Sequence, residues 1–145
     1  MPNERLAGEL MIPNLAQIEE LGTRILGEQP DPVVRFRVLR DVLQKPSRDP
    51  ELASARGQVT ESHWVAELRE EQRPDGSWGR FHSADTRAKR RIPTTEAGVP
   101  RALALGLNGS HPVLAAAAKY VADVLTGARD FPDPAEKNER WRTEA

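Results

Sequence analysis

Gln72-Arg73-Pro74-Asp75-Gly76-Ser77-Trp78-Gly79 lies between a stretch with helical apolar spacing and a stretch that is polar and basic. Its residues spell a tight turn that carries an anchor. Gly76 admits the positive φ that a sharp reversal demands, Asp75 can accept a hydrogen bond from its own following backbone, and Trp78 offers a large rigid packing surface. Upstream, Trp64, Val65 and Leu68 predict a helix ending near Gln72. Downstream, Phe81 to Pro93 lacks any helical stripe and reads as a loop.

Working outward, most prolines fall where helices are expected to begin. Asp31-Pro32, Asp49-Pro50 and Asp133-Pro134 each set a capping carboxylate before a residue whose fixed φ suits the first helical position, and Ser110-His111-Pro112 is a looser version. Period-2 alternation of β-branched residues is nearly absent, so the chain reads as all-α, a succession of short helical hairpins. Leu15, Ile18, Leu21, Ile25 and Leu26 mark a first helix, weakened or ended by Gly22 and Gly27. Val34, Val38, Leu39, Val42 and Leu43 form the clearest stripe, with Arg35, Arg37, Arg40 and Asp41 mostly opposite. A polar segment after Asp49-Pro50 reaches Val59 and is expected to break at Gly57. Thr94 or Thr95 caps a helix towards Leu107, with Gly98 and Pro100 predicting a late start or a kink, and Asn108-Gly109 as its stop. Leu114, Ala117, Ala118, Val121, Val124 and Leu125 make the last strong stripe, and the run Ala115 to Ala118 permits a close neighbour.

Composition bounds the function. The 145 residues carry 21 Lys+Arg against 22 Asp+Glu, a net charge of −1, which argues against a strongly basic polyanion binder. The absence of cysteine removes disulfides, thiolate zinc sites and cysteine nucleophiles. No apolar run approaches the ~18 residues of a membrane span. The segment Met1 to Leu15 lacks the pattern of a signal peptide, and a cytoplasmic setting is the expectation. Residues 1–145 read as one helical domain, with 1–13 and 130–145 peripheral or frayed.

The motif from Gln72 to Trp78 resembles the glutamine-to-tryptophan repeat of the squalene-cyclase and prenyltransferase superfamily, in which helical hairpins form an α/α toroid. The surrounding order is similar over about residues 30–125: a helix opening Asp-Pro-Val-Val-Arg, a helix ending at Gln72, the glycine turn, a basic loop, then Thr95-Glu96 opening the next helix. The resemblance implies that Gln72, Asp75, Gly76 and Trp78 are structural and tie one hairpin to its neighbour. Glu67 precedes Leu68 where an aromatic residue is usual, and one copy of the repeat is present. The catalytic parts of the family do not carry over: there is no Asp-x-Asp-Asp cluster, no cysteine for the prenyltransferase zinc, and only seven aromatic residues. A closed ring of six hairpins, at about 12 residues per helix plus loops, needs roughly twice this chain, so an incomplete ring is expected.

Other constellations are sparser. Arg87, Lys89, Arg90 and Arg91 form a basic run that could hold an anion, against the simpler reading of a solvated loop. His63, His82 and His111 lie on separate segments without metal-ligand spacing, so no metal is expected, and no cofactor pattern is present. Nucleic-acid binding is disfavoured for want of a basic surface with aromatic or groove-reading elements. The leading expectation is a non-catalytic cyclase/prenyltransferase-like domain that binds a hydrophobic small molecule or a partner, either another copy or a larger domain. One alternative is a HEAT-like interaction module, because Asp31-Pro32-Val33-Val34-Arg35 with Leu39 and Leu43 resembles the second helix of such repeats. The other is a terpenoid-cyclase-type enzyme whose site is completed by another subunit or a missing segment, with Asp75 and Glu96 the nameable catalytic candidates.

Overall fold

The structure, a computed structural model, describes residues 12–83 and 89–134. All regular elements among these residues are helical: α1 (Leu15–Gly27), α2 (Pro32–Arg37), α3 (Pro50–Gln58), α4 (His63–Glu71), α5 (Thr95–Ala104) and α6 (Pro112–Leu125). The all-α class is therefore as expected. The three proline starts whose helices lie within the described residues behave as their chemistry requires, and the helix expected after Asp133-Pro134 lies outside those residues. Asp31 and Asp49 accept from the amides of the first turns of α2 and α3, and the His111 ring accepts from the Val113 amide at the start of α6.

The second hairpin departs from the simple stripe. After Arg37 the helix widens into a π-turn over Val38–Val42, with the Leu43 amide donating to the Val38 carbonyl at 2.9 Å, and Gln44 at φ +47 ends it. A π-turn inserts an extra residue and rotates the following face. α2 buries Val33 and Phe36, and the π-turn buries Val38 and Leu39, whereas Val34, Val42 and Leu43 are only partly covered. Gly57 does not break α3, which runs on into a 3₁₀ turn at Val59–Glu61.

α5 begins at Thr95, directly after its Thr94 cap, and passes through Pro100 without a late start. Its stop is Gly106 rather than Asn108-Gly109. Gly106 at φ +94 closes a Schellman motif, with the Leu107 amide donating to the Ala102 carbonyl and the Gly106 amide to that of Leu103. A Cβ at Gly106 would stand 2.7 Å from the Phe36 ring, so this turn also seats the α2 aromatic. Along α6 the buried face is Val113, Leu114, Ala117 and Tyr120, while Ala118 and Leu125 face solvent.

The core joins α2, α3, α4, α5 and α6 through Phe36, Leu39, Leu52, Val65, Leu68, Trp78, Ala102 and Leu114. α1 meets this body through Gly22 and Leu26. A Cβ on Gly22 would lie 3.0 Å from Val42, so the glycine lets α1 press against the π-turn. The N-terminal half of its stripe stays uncovered, with Leu15 65% and Leu21 53% exposed.

Candidate functional site

The turn after α4 is a clasp that holds three helices. Trp78 is fully buried, and its indole Nε1–H donates to the Leu68 carbonyl of α4 at 2.9 Å. The Trp78 amide donates to the Thr95 hydroxyl at the start of α5 at 3.1 Å. The indole lies where any side chain at position 98 would have to go, for a Cβ on Gly98 would stand 2.2 Å from it. Gln72 supplies the third tie: its side-chain amide donates to the Gly76 carbonyl at 3.0 Å and to the Val113 carbonyl of α6 at 2.8 Å. Gly76, at φ +92, presses on the Ala116 carbonyl within the alanine run of α6.

Asp75 is part of this clasp. Its Oδ1 accepts from the Ser77 amide at 3.0 Å and hydroxyl at 2.7 Å, and Oδ2 faces the Arg129 guanidinium at 3.4 Å. Burial opposes its ionisation, but the Ser77 bonds and the charges of Arg129 and Arg73 prevail and hold the carboxyl below its ordinary range. A carboxylate so engaged is suited to a turn rather than to proton transfer. Glu96 stands apart from it on the exposed first turn of α5, paired with the His82 ring.

The basic loop divides. Arg87 lies outside the described residues, and Lys89 and Arg90 are exposed. Arg91 is drawn to α4: its guanidinium meets Glu67 at 2.7 Å, and the Arg91 and Ile92 amides donate to Glu71 at 3.1 and 2.9 Å. Arg91 thus fastens the loop to α4. Among the described residues no group of three His, Asp or Glu side chains is arranged to hold a metal ion, and no helix is long and apolar enough to cross a membrane.

Two features were not read from the sequence. The first is a strap after α6. Arg129 reaches Asp75 and lies 5.2 Å from the Tyr120 ring centre, Phe131 packs at 5.6 Å from Phe81, and Asp133 is buried. Its carboxylate accepts from three successive amides, Phe81, His82 and Ser83. Burial again opposes ionisation, and those amides outweigh it, so the carboxyl titrates below its ordinary range. The stabilisation is present above the ordinary carboxylate range and lost as pH falls through the lowered value. Asp133→Asn is expected to cost about 1.5–3 kcal/mol, the worth of hydrogen bonds to a charged group, and to flatten the acid limb of a stability-versus-pH curve measured by urea melts.

The second feature is a groove of about 570 Å³ between α2 with its π-turn, Trp64 of α4, and the end of α5. Its walls are Val34, Val38, Val42, Trp64 and Leu105, with Arg37, Asp41 and Arg101 as its charged groups. These valines belong to the stripe that the sequence assigns to the core; Val38 is buried as expected, whereas Val34 and Val42 are only partly covered. Beside it, Asp31 accepts from the Ser62 hydroxyl at 3.1 Å and meets the His63 ring at 3.0 Å, coupling the N-termini of α2 and α4. Burial opposes the Asp31 charge, yet the Val33 amide, Ser62 and His63 keep its carboxyl low. The His63 ring in turn stands 4.2 Å from that of Trp64, fixing one wall of the groove.

Compared with protein-family models, curated proteins and solved structures, the chain matches none.

Proposed function

We propose that this chain is a non-catalytic binding domain, an incomplete arc of the α/α-toroid kind, whose groove receives a hydrophobic small molecule. The groove itself carries the reading. At about 570 Å³, with aliphatic and indole walls and a few polar groups, it has the size and chemistry of small-molecule pockets. The kinship with the cyclase and prenyltransferase group rests on the clasp, in which Gln72, Gly76 and Trp78 tie α4 to α5 and α6 in the manner the resemblance implies. Binding rather than catalysis is favoured by the partners of the acidic candidates: Asp75 serves the turn and Glu96 pairs with His82.

The neutral fluorophore N-phenyl-1-naphthylamine tests this directly. The expected result is a saturable rise in its emission, with affinity reduced at least tenfold by Ala104→Trp. Ala104 lines the groove and its side chain is exposed, so a larger residue fills the space without entering the core. Absence of saturable binding, or equal binding by the filled variant, would overturn the reading.

A further inference from the structure

The charges around the groove select among hydrophobic ligands. Arg37 and Arg40 share one carboxylate, Asp41. Arg101 and Arg91 share another, Glu67, at 2.9 and 2.7 Å. The nearby Glu71 carboxylate is occupied by the Arg91 and Ile92 amides. Each of these two shared carboxylates therefore answers two guanidiniums, and the groove lining itself holds two guanidiniums, Arg37 and Arg101, against one carboxylate, Asp41. Arg37 and Arg101 are the two cations that line the groove, and both stand at the last turn of α5. Arg37 donates to the Ala104 carbonyl, and Arg101 lies three residues before it on the same helix. Each guanidinium carries five N–H donors, more than the contacts described here consume, and its planar fork matches the two oxygens of a carboxylate.

Resting on the reading of the groove as a small-molecule site, we infer that its ligand is an aliphatic monocarboxylate. The chain lies along Val34, Val38, Val42, Trp64 and Leu105, and the carboxylate is held between Arg37 and Arg101. A cationic amphiphile would meet repulsion there. A neutral one would leave the surplus donors to water and lose the charge-assisted hydrogen bonds.

Displacement of N-phenyl-1-naphthylamine by dodecanoate, dodecan-1-ol and dodecyltrimethylammonium, each below its micelle-forming concentration, tests the inference. Dodecanoate is expected to displace the fluorophore at a concentration about tenfold or more below dodecan-1-ol, with the ammonium weakest. Arg101→Gln and Arg37→Gln, each first verified as folded by its circular-dichroism melt, should each bring dodecanoate towards the alcohol without weakening the alcohol. Raised salt should narrow the same gap. If dodecan-1-ol equals dodecanoate, or the ammonium binds best, the carboxylate inference falls and the groove reading stands. If the fluorophore binds saturably and none of the three displaces it, the carboxylate inference falls as well. If the fluorophore itself does not bind, both fall.

Discussion

Trp78→Ala is expected to destabilise the protein by about 3–5 kcal/mol, the range for truncating large buried aromatic residues, read as a lower urea midpoint. The loss has three sources: the packing of a fully buried indole, its hydrogen bond to the Leu68 carbonyl, and the surface of α5 that rests on it. Gly98→Ala is expected to be costly in the native background, because its new methyl would stand 2.2 Å from the indole. In the Trp78→Ala background that methyl enters the space the indole has vacated, and Gly98→Ala should cost far less. A coupling of about 1–3 kcal/mol, within the range for residues in contact, is the expected outcome of the double-mutant cycle. Additive effects would mean that α5 does not rest on the indole.

Gly76→Ala is the second large effect, expected at about 3 kcal/mol or more. Two costs add. The backbone at φ +92 disfavours any L side chain, by about 1–2 kcal/mol. The new methyl would also stand 2.3 Å from the Ala116 carbonyl, which belongs to helical backbone and cannot swing aside as a flexible side-chain tip would; overpacking of this kind costs about 1–3 kcal/mol. Gly57→Ala supplies the control. It lies inside α3 with open space where the methyl would go, so the same substitution there should be neutral or stabilising by about 0.5–1 kcal/mol. Equal effects at the two glycines in urea melts would show that the turn does not press on α6.

These two tests concern the part of the molecule that is most legible in the sequence, and the reason is locality. A glutamine, an Asp-Gly pair and a tryptophan within seven positions constrain one another through backbone geometry, so the turn can be read from the segment alone. Helix starts at Asp31-Pro32 and Asp49-Pro50 are legible for the same reason. Asp133-Pro134 has the same local chemistry, and its carboxylate also meets three amides fifty residues away. Nothing in the chain before Asp133 announces that meeting.

The groove escaped for a different reason. A stripe read at the α-helical period places Val34, Val38 and Val42 on one buried face, but the π-turn at Val38–Val42 changes the period within the element. Its i→i+5 bond has no compositional mark, so the change of face that leaves Val42 only partly covered could not be read locally, and the choice of Val33 and Phe36 over Val34 as the buried face of α2 is set by tertiary partners such as Gly106. The stop of α5 is intermediate. Leu105-Gly106-Leu107 carries the Schellman pattern, with a glycine at positive φ followed by a buried apolar residue, but Asn108-Gly109 carries a competing signal two residues later. The contact of Phe36 with Gly106 settles which glycine ends the helix. Arg91 shows the same dependence on tertiary partners, for a cation read as an anion site is turned to α4 by Glu67.

Hydrogen exchange at the Trp78 indole N–H tests most directly whether this clasp holds the helices together. The resonance can be assigned by its disappearance in Trp78→Phe. A donor buried against the Leu68 carbonyl is expected to exchange only through global unfolding, so its rate should track the urea-derived stability and fall well below that of half-buried Trp64. Exchange of the Trp78 proton as fast as that of an indole in water would contradict the account.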